Sequence, residues 1–426
     1  MAAFAIGALA FLSAPARVRF GHTIIPISFL ALIAAAGGLQ MVPMSAALLR
    51  DVAPLSAQVY ADANQILGLF GRRAITPRIS IAPSDTVVTI LLTLAYVVLF
   101  AAAVILLSTR LRRRLAIGAL LASSTVHVLV STATTSPSVR VHGTFINPNH
   151  FAGYLQIGLA FSFGLLLREL LHSRERGDGI RDLADRVEKR AIPLVGPVLL
   201  WVVIAAGIAL TRSRGGILAA LITTITMLAL ATVGRRRQTR LAFAIVPAVL
   251  AALVLVAFTT GEAPLLRFLA ADPRDTASDM RPEIWRASLL AWHQSPTLGT
   301  GLGAFREAFR RVQPQSVVGL VEQAHNDFLQ MLVTGGWIGA VLVTGAFLSM
   351  LALLLRAWMR QEHREESAFA LAGIAALISL MLHGLVEFNM SIPAIPATLA
   401  IMLGLAWTAA TYEERRPCPR AADPVP

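Results

Sequence analysis

Long apolar runs separated by shorter polar segments dominate the chain. A helix that crosses a bilayer needs about 20 mostly apolar residues, and within lipid the backbone must satisfy its own hydrogen bonds. Runs of this length therefore predict helices rather than strands. We predict eleven spans, or twelve if the N-terminal region holds one more, at residues 2–13, 24–45, 85–108, 115–134, 150–167, 192–210, 216–233, 241–260, 329–355, 368–386 and 393–411.

The composition also indicates a membrane protein. Of the 426 residues, 56% are hydrophobic and 14% are charged, whereas an average soluble protein carries about 25% charged residues. This balance excludes a disordered or coiled-coil chain and disfavours a soluble enzyme. The net charge of +13 is expected beside anionic lipid, so we predict membrane lipid, and no nucleic acid, as a partner. The single cysteine, Cys418, excludes an internal disulfide.

Basic residues alternate in number from loop to loop. The loops on one side, together with the C-terminal tail, hold 23 of the 37 basic residues, and the other side holds 14. Because cytoplasmic loops carry the excess of basic residues, the second set of loops is predicted to face outward. The long segments 46–84 and 261–328 belong to this outward set. Arg212 and Arg214 lie in a short outward turn where the same rule disfavours them, and this exception predicts a functional role.

The spans and long loops divide the chain into five regions. The predicted boundaries are 1–134 for the first membrane helices with the outward loop 46–84, 135–260 for the central membrane helices, 261–328 for the long outward loop, 329–411 for the last membrane helices, and 412–426 for a cytoplasmic tail.

The outward end of the fifth predicted span reads HGTFINPNHFAGY, residues 142–154. Pro148 biases Asn147 away from helical geometry, so Asn149 is predicted to cap a helix that starts near His150. A helix start presents free N–H groups and a positive dipole end, which suit an anion. A plain turn between two helices is the simpler interpretation of the same residues.

The turn TRSRGG occupies residues 211–216. Guanidinium groups bind phosphate oxygens through paired hydrogen bonds and stay protonated. Gly215 and Gly216 allow the chain to bend or to pack closely. The alternative is a pair of arginines that reach from a helix end to the membrane surface. The exception to the charge rule favours anion binding.

The long outward loop contains a predicted amphipathic helix that begins at Arg281. Trp285, Leu289 and Trp292 recur on one helical face, with Met280, Ile284 and Ala291 alongside. This amphipathic helix would lie on the membrane or on the helix bundle. Pro296 ends this helix, and a flexible glycine-rich turn is predicted after it. That turn, GTGLG, lacks the preceding strand and the Lys-Ser/Thr pair of a nucleotide-binding loop. Arg281 fits a surface charge as well as a binding site.

His325 precedes a predicted span at its outward end and is followed by Asn326 and Asp327. Histidine is the side chain best suited to accept a proton near neutral pH, and its two neighbours are placed to orient the ring or a sugar hydroxyl. An interfacial histidine without chemistry is the alternative. The histidines and carboxylates lack the spacing of metal ligands, so we expect no metal site.

His383 and Glu387 share one helical face four residues apart. We interpret them as a packed hydrogen-bonded pair, and the proton relay of a transporter is the alternative. Most polar clusters gather at one membrane surface, whereas transporters place charges near the midplane. This distribution favours an enzyme that works at the interface.

Four segments in this order resemble the O-antigen ligase/polymerase superfamily of bacterial inner-membrane glycan transferases: FINPNHFAGYL, TRSRGG, R-x-x-x-W with PTLGTGLGAF, and HNDFLQMLVTGGWIG. The resemblance implies an all-α polytopic membrane fold related to the C-type glycosyltransferases, with a long periplasmic loop that contains amphipathic helices. It implies transfer of a glycan from undecaprenyl diphosphate to a hydroxyl of a glycolipid or glycan acceptor, on the periplasmic face and without a cofactor. Direct displacement by one acceptor predicts inversion at the anomeric carbon.

The resemblance also assigns residues. Arg214 and Arg281 match the diphosphate-binding arginines of the family, with Arg212 beside them, and His325 matches its essential histidine. Supporting positions by their place in the motifs are Asn149, His150, Asn326 and Trp285. A repeat-unit polymerase and a protein O-oligosaccharyltransferase share these motifs with a ligase, and a polysaccharide or lipid transporter is the alternative from another class.

Overall fold

The computed structural model of the chain describes residues 2–12, 20–136, 139–175, 192–232, 280–360 and 366–411. Regular secondary structure in these residues is entirely helical, as the apolar runs predict. The described α-helices, numbered in chain order, are α1 Ala2–Leu12, α2 Ile24–Gln40, α3 Ala46–Val52, α4 Pro54–Leu69, α5 Pro83–Leu106, α6 Arg110–Thr134, α7 Pro148–Glu175, α8 Ile192–Leu210, α9 Arg214–Thr232, α10 Arg281–His293, α11 Phe305–Arg310, α12 Asp327–Arg360, α13 Ser367–His383 and α14 Ala394–Ala410.

The apolar runs correspond to ten of these helices. Within the described ranges, seven helices are long and apolar enough to cross a membrane, and α1, α13 and α14 are apolar but shorter. The remaining predicted span, at 241–260, lies outside the described residues, as do Cys418 and the predicted tail at 412–426. The total of eleven or twelve spans therefore stays a prediction, as do the five regional boundaries.

Helix α13 lies at the centre of the bundle. It packs against α7, α9, α12 and α14, and nearly all of its residues are buried. Small residues allow this approach, since a Cβ on Gly373 would lie only 2.5 Å from the Cβ of Ala406. By contrast, α6 exposes large apolar side chains such as Val126 and Leu129, as expected for a helix that faces lipid.

Helix α12 is broken near its start. Gly336 has φ 63° and ψ −163°, a conformation that is essentially restricted to glycine. The glycine-rich turn fills the break: the N–H of Gly301 and the side-chain amide of Gln40 both donate to the carbonyl of Thr334, at 3.0 and 2.9 Å. The prediction of a flexible turn is therefore wrong. The turn is packed against α12 and fixes the short first part of that helix, which follows His325.

The two long segments between spans pack on each other at one end of the bundle. Leu55 of α4 joins a buried cluster with Ile284 and Phe305, and Arg311 pairs with Asp62 at 2.7 Å. The first residues of α7, α9 and α12 lie at this same end, because all three helix starts contact the loop between α13 and α14. We term this end of the bundle the motif end. The starts of α6 and α13 lie at the opposite end.

Helix α10 rests on the bundle through contacts with α12. The predicted face lies against the bundle except at Leu289, which is exposed: Ile284 and Ala291 are buried, and the partly buried Trp285 and Trp292 pack against the same cluster. Smaller side chains allow the closer approach, and they form the buried face: Ile284, Ala287, Ser288 and Ala291.

Candidate active site

Glu387 is the meeting point of several predicted site residues. It lies in the loop between α13 and α14 and is almost fully buried. Its Oε1 accepts hydrogen bonds from Nδ2 of Asn149, at 2.5 Å, and from the guanidinium of Arg281. Its Oε2 lies 3.5 Å from Nδ1 of His325. Residues from α7, α10 and the start of α12 thus converge on one carboxylate.

The Glu387 carboxylate is held in its ionised form. Burial by itself raises the pKa of this group, but contact with His325 and the positive charge of Arg281 outweigh burial and lower the pKa to about 2. Because the pKa is lowered from 4.5, the ionised form stabilises the fold above about pH 4.5, and this contribution is lost as the pH falls towards 2. Glu387 is therefore an anion at physiological pH.

Asn149 reaches this site because a different residue caps α7. The helix begins at Pro148, so Asn147 is the capping residue, and its Oδ1 accepts the N–H of Asn149 at 2.8 Å. The prediction that Asn149 caps the helix is wrong, since proline is favoured at the first helical position and moves the cap one residue earlier. The side chain of Asn149 is thereby free to contact Glu387.

Arg140 fixes the other end of the Asn149 amide, and the sequence interpretation missed it. Its amino group donates to Oδ1 of Asn149 at 2.5 Å, and its Nε donates to the carbonyl of Thr211 at 2.8 Å. One guanidinium therefore joins the start of α7 to the TRSRGG turn. A basic residue in a short outward loop was the available signal, because Arg140 breaks the charge rule in the same way as Arg212 and Arg214.

The TRSRGG turn brings the start of α9 against the loop that contains Glu387. Ser213 caps α9, since its Oγ accepts the N–H of Gly216 at 3.2 Å. A Cβ on Gly215 would lie 2.6 Å from Val386 and 3.2 Å from His383, so only glycine fits there. Arg214, the first residue of α9, is exposed, and its backbone adjoins this contact.

His325 and Arg212 have an unusual backbone conformation. Their φ angles are 50° and 52°, and among the described residues they are the only ones other than glycine with positive φ. Such a conformation costs about 1–3 kcal/mol and is concentrated at functional sites. Two independently predicted site residues therefore carry strain that the surrounding structure maintains.

Asn326 and Asp327 hold the loop after α13 rather than the His325 ring. Oδ1 of Asn326 caps α12 by accepting the N–H of Leu329 at 2.9 Å, and its Nδ2 donates to the carbonyl of Leu385 at 2.9 Å. The Asp327 carboxylate accepts the N–H of Met390 at 3.2 Å. Neither side chain bonds to the His325 ring, so the expectation that they orient the ring is wrong, whereas a contact with a sugar hydroxyl stays a prediction. They position Glu387 by fixing residues on both sides of it.

The remaining supporting residues surround His325. Nδ1 of His150 lies 3.1 Å from Oδ1 of Asn389, and the rings of His150 and His325 both meet the Phe388 ring edge to face, at 4.4 and 4.9 Å between centroids. The indole of Trp285 donates to the carbonyl of Ala324 at 3.0 Å. Trp285 therefore holds the residue before His325, and its polar atom is already engaged.

The predicted pairing of His383 with Glu387 is wrong. Both ring nitrogens of His383 are buried without a hydrogen-bond partner. Helix α13 ends at His383, and the chain then turns, so the two residues no longer share a helical face. Glu387 bonds to Asn149 and Arg281 instead.

Part of the sequence matches a known protein family. Residues 199–344 match the family model described as O-antigen ligase. This match supports the resemblance of the chain to the O-antigen ligase superfamily. The matched residues include Arg214, Arg281 and His325, whereas Asn149 and Glu387 lie outside them. No curated protein sequence matches the chain.

The long apolar helices and the family match indicate that the chain is a multi-pass membrane protein. Its candidate site is basic. Arg140 and Arg281 contact the Asn149–Glu387 pair directly, and the exposed Arg212 and Arg214 belong to the adjoining turn. Such an excess of positive charge attracts an anionic ligand.

Several buried polar atoms of the candidate site have no hydrogen-bond partner. In the described part of the chain, fifteen buried side-chain nitrogen and oxygen atoms have no hydrogen-bond partner. Six of them belong to this one cluster: Arg281 Nε, His325 Nδ1, His383 Nδ1 and Nε2, Glu387 Oε2 and Asn389 Nδ2. Buried polar groups are normally paired, so this concentration indicates a place that a polar ligand or water completes.

Proposed function

We propose that this protein is a glycosyltransferase of the ligase type. It would move a glycan from undecaprenyl diphosphate to a hydroxyl of lipid A-core or another surface acceptor, at the periplasmic face of the bacterial inner membrane. The observation that supports this most strongly is the convergence of Arg281 and His325 on Glu387, beside the turn that carries Arg212 and Arg214. These residues supply the charge stabilisation and the base that the reaction needs.

The arginines would bind the donor diphosphate. Glycosidic bond cleavage leaves negative charge on the diphosphate, and preorganised guanidinium groups stabilise charge that grows in a transition state. The described residues include no group of three or more His, Cys, Asp or Glu side chains placed to hold a metal ion. We assign charge stabilisation to Arg281 and Arg214, with Arg212 beside them.

His325 would act as the general base. Its Nδ1 faces Glu387, so Nε2 is the nitrogen available to the acceptor hydroxyl. As the acceptor oxygen bonds to the anomeric carbon, its proton passes to Nε2. The bond from that carbon to the diphosphate oxygen breaks, and the electron pair leaves with undecaprenyl diphosphate. A single displacement of this kind inverts the configuration of the anomeric carbon.

The charge pattern supports a periplasmic site. The motif end carries the starts of α7, α9 and α12, and in sequence these starts follow the outward set of loops, which together hold 14 of the 37 basic residues. The opposite end carries Arg113 and Arg168, which belong to the basic loops. By the positive-inside rule, this distribution favours a cytoplasmic location for those loops and an outward location for the motif end.

Reconstitution tests the proposed activity. Purified protein in phospholipid vesicles should transfer glycan from an undecaprenyl-diphosphate donor to lipid A-core, and the new glycosidic bond should have inverted configuration. An intact, folded protein that transfers glycan to no hydroxyl acceptor would contradict the proposal.

Deletion in the native host identifies the acceptor. Accumulation of long lipid-linked chains without surface polymer indicates a ligase. Single-repeat products indicate a polymerase, and unmodified secreted protein indicates a protein O-oligosaccharyltransferase. Normal polymer on the wrong side of the membrane would indicate the alternative from another class, a transporter.

A further inference from the structure

The Glu387 carboxylate contacts both the proposed donor-binding arginine and the proposed general base. Oε1 of Glu387 accepts a hydrogen bond from Arg281, which would bind the donor, and Oε2 faces His325, which would deprotonate the acceptor. The two contacts are unequal, because the first is a charge-assisted hydrogen bond and the second spans 3.5 Å. At that distance Nδ1 of His325 and Oε2 of Glu387 both remain without a hydrogen bond.

We infer that Glu387 is a placeholder for the donor diphosphate on Arg281, and that donor binding transfers Glu387 to His325. The diphosphate would displace the carboxylate from the guanidinium, and the released carboxylate would close on the Nδ1–H of His325. The base would therefore be prepared only when the donor is in place. This inference rests on the proposed glycosyl transfer.

The contacts of Arg281 favour such an exchange. A guanidinium has five N–H donors, and the Nε donor of Arg281 is buried without a partner while an amino group bonds to Glu387. A diphosphate that joins a lipid to a sugar carries two negative charges, and its oxygens match the guanidinium fork. It would satisfy the Nε donor and compete with the single charge of Glu387 for the remaining donors.

The contacts of Glu387 keep the movement small. Asn149 donates to Oε1 and is itself held by Arg140, so this hydrogen bond serves as a pivot when Arg281 departs. Closing the distance of 3.5 Å to an ordinary hydrogen bond of about 2.8 Å requires less than 1 Å of motion. In the closed arrangement the carboxylate fixes the proton on Nδ1 of His325, which leaves Nε2 as the acceptor and stabilises the imidazolium that forms.

The test measures ligand affinity and turnover separately. The probe is undecaprenyl diphosphate, and its dissociation constant is measured on purified full-length protein in nanodiscs. Glu387→Gln removes the competing charge, so we expect binding about tenfold tighter than wild type together with a loss of transfer of at least about a hundredfold. A residue that only maintained the fold would weaken both.

A matched control distinguishes the specific effect of Glu387 from the effect of removing any negative charge near the site. Glu322→Gln makes the same change of charge at an exposed residue three positions before His325, and we expect both affinity and transfer to stay within about twofold of wild type. Equal tightening in the two variants, or unchanged or weaker binding in Glu387→Gln, would overturn the inference. Failure of the wild type both to bind the probe and to transfer glycan would instead refute the proposed function.

A second measurement uses only the wild-type protein, in case Glu387→Gln does not fold. Of the charged and titratable groups in this cluster, Glu387 and His150 interact with His325, and Arg281, His383 and Asp327 interact with Glu387. Closure of Glu387 on His325 should move the acid limb of kcat, which reports the donor-bound enzyme, to higher pH than the acid limb of kcat/KM for the donor. Coinciding limbs would contradict the exchange.

Discussion

The two ends of α13 each carry a buried carboxylate paired with arginine, and the two pairs differ in what surrounds them. At the start of the helix, Glu366 accepts from Nε of Arg113 at 3.0 Å and pairs with its amino group at 2.9 Å. Past the other end, Glu387 bonds to Arg281. The side chain of Arg113 is 0% exposed, whereas that of Arg281 is 19% exposed.

The difference shows that burial of an ion pair does not by itself identify a functional site. The Glu366 cluster is closed: Arg113 also donates to the carbonyls of Leu107 and Ser108, and Arg168 lies 3.9 Å from the same carboxylate. The Glu387 cluster is partly open, its histidine neighbour has a strained backbone, and several of its polar atoms lack partners. Access and backbone strain together distinguish a site that receives a ligand from a closed internal ion pair.

Removing His325 should have the largest effect on activity. We expect His325→Asn to lower transfer by about 10²–10⁴-fold, equivalent to about 3–5 kcal/mol in the barrier, because the general base is lost. Asparagine tolerates positive φ, so the unfolding temperature should not change. Near-normal turnover of the purified variant would remove His325 from the chemistry.

His325→Ala is a useful companion variant. Alanine at φ 50° should cost about 1–2 kcal/mol of stability in addition to the loss of transfer. Equal stability of the two variants would show that this backbone conformation is not strained.

Breaking the closed cluster should affect stability and leave the chemistry intact. We expect Arg113→Met to destabilise the protein by about 3–5 kcal/mol, because it leaves Glu366 buried without its main partner. Transfer per folded molecule should be unchanged. Unfolding in detergent and specific activity are the measurements, and the double variant Arg113→Met/Glu366→Met should recover most of the stability. A loss of transfer in a variant that remains folded would contradict the claim that the Glu366 cluster is only structural.

Arg140 should show an intermediate effect on activity. Lysine keeps the charge but not the fork that reaches both Asn149 and Thr211, so Arg140→Lys should lower transfer by about 10- to 100-fold. The control is Arg286→Lys on the exposed face of α10, for which we expect wild-type rates. If Arg140→Lys has full activity, the contact between the α7 start and the TRSRGG turn does not position the site.

The smallest effect should come from the cap of α7. Asn147→Ala should cost about 1 kcal/mol of stability by removing the hydrogen bond to the N–H of Asn149. Activity should fall together with stability, since the loss of this hydrogen bond makes the position of Asn149 less fixed. Calorimetry or denaturant unfolding in detergent measures the cost, and an unchanged stability would argue against this assignment of the cap.

The helices and the motif residues could be predicted from the sequence, but the residues that contact those motif residues could not. Hydrophobic runs predict helices because lipid leaves the backbone few alternatives. The resemblance of short motifs predicts Arg281 and His325 as site residues, and the charge rule singles out Arg212 and Arg214. Glu387 was assigned to His383, because helical spacing was assumed to continue past residue 383. Arg140 was missed because its partners Asn149 and Thr211 are brought together only by tertiary packing.

A donor-bound structure tests the central claim most directly. The variant His325→Asn, which should retain the donor, is imaged with an undecaprenyl-diphosphate-linked glycan. We predict the diphosphate against the guanidinium of Arg281 at the motif end, with Glu387 released from Arg281 and the anomeric carbon facing residue 325. A diphosphate bound elsewhere, or an intact Arg281–Glu387 pair with no phosphate beside it, would contradict the account.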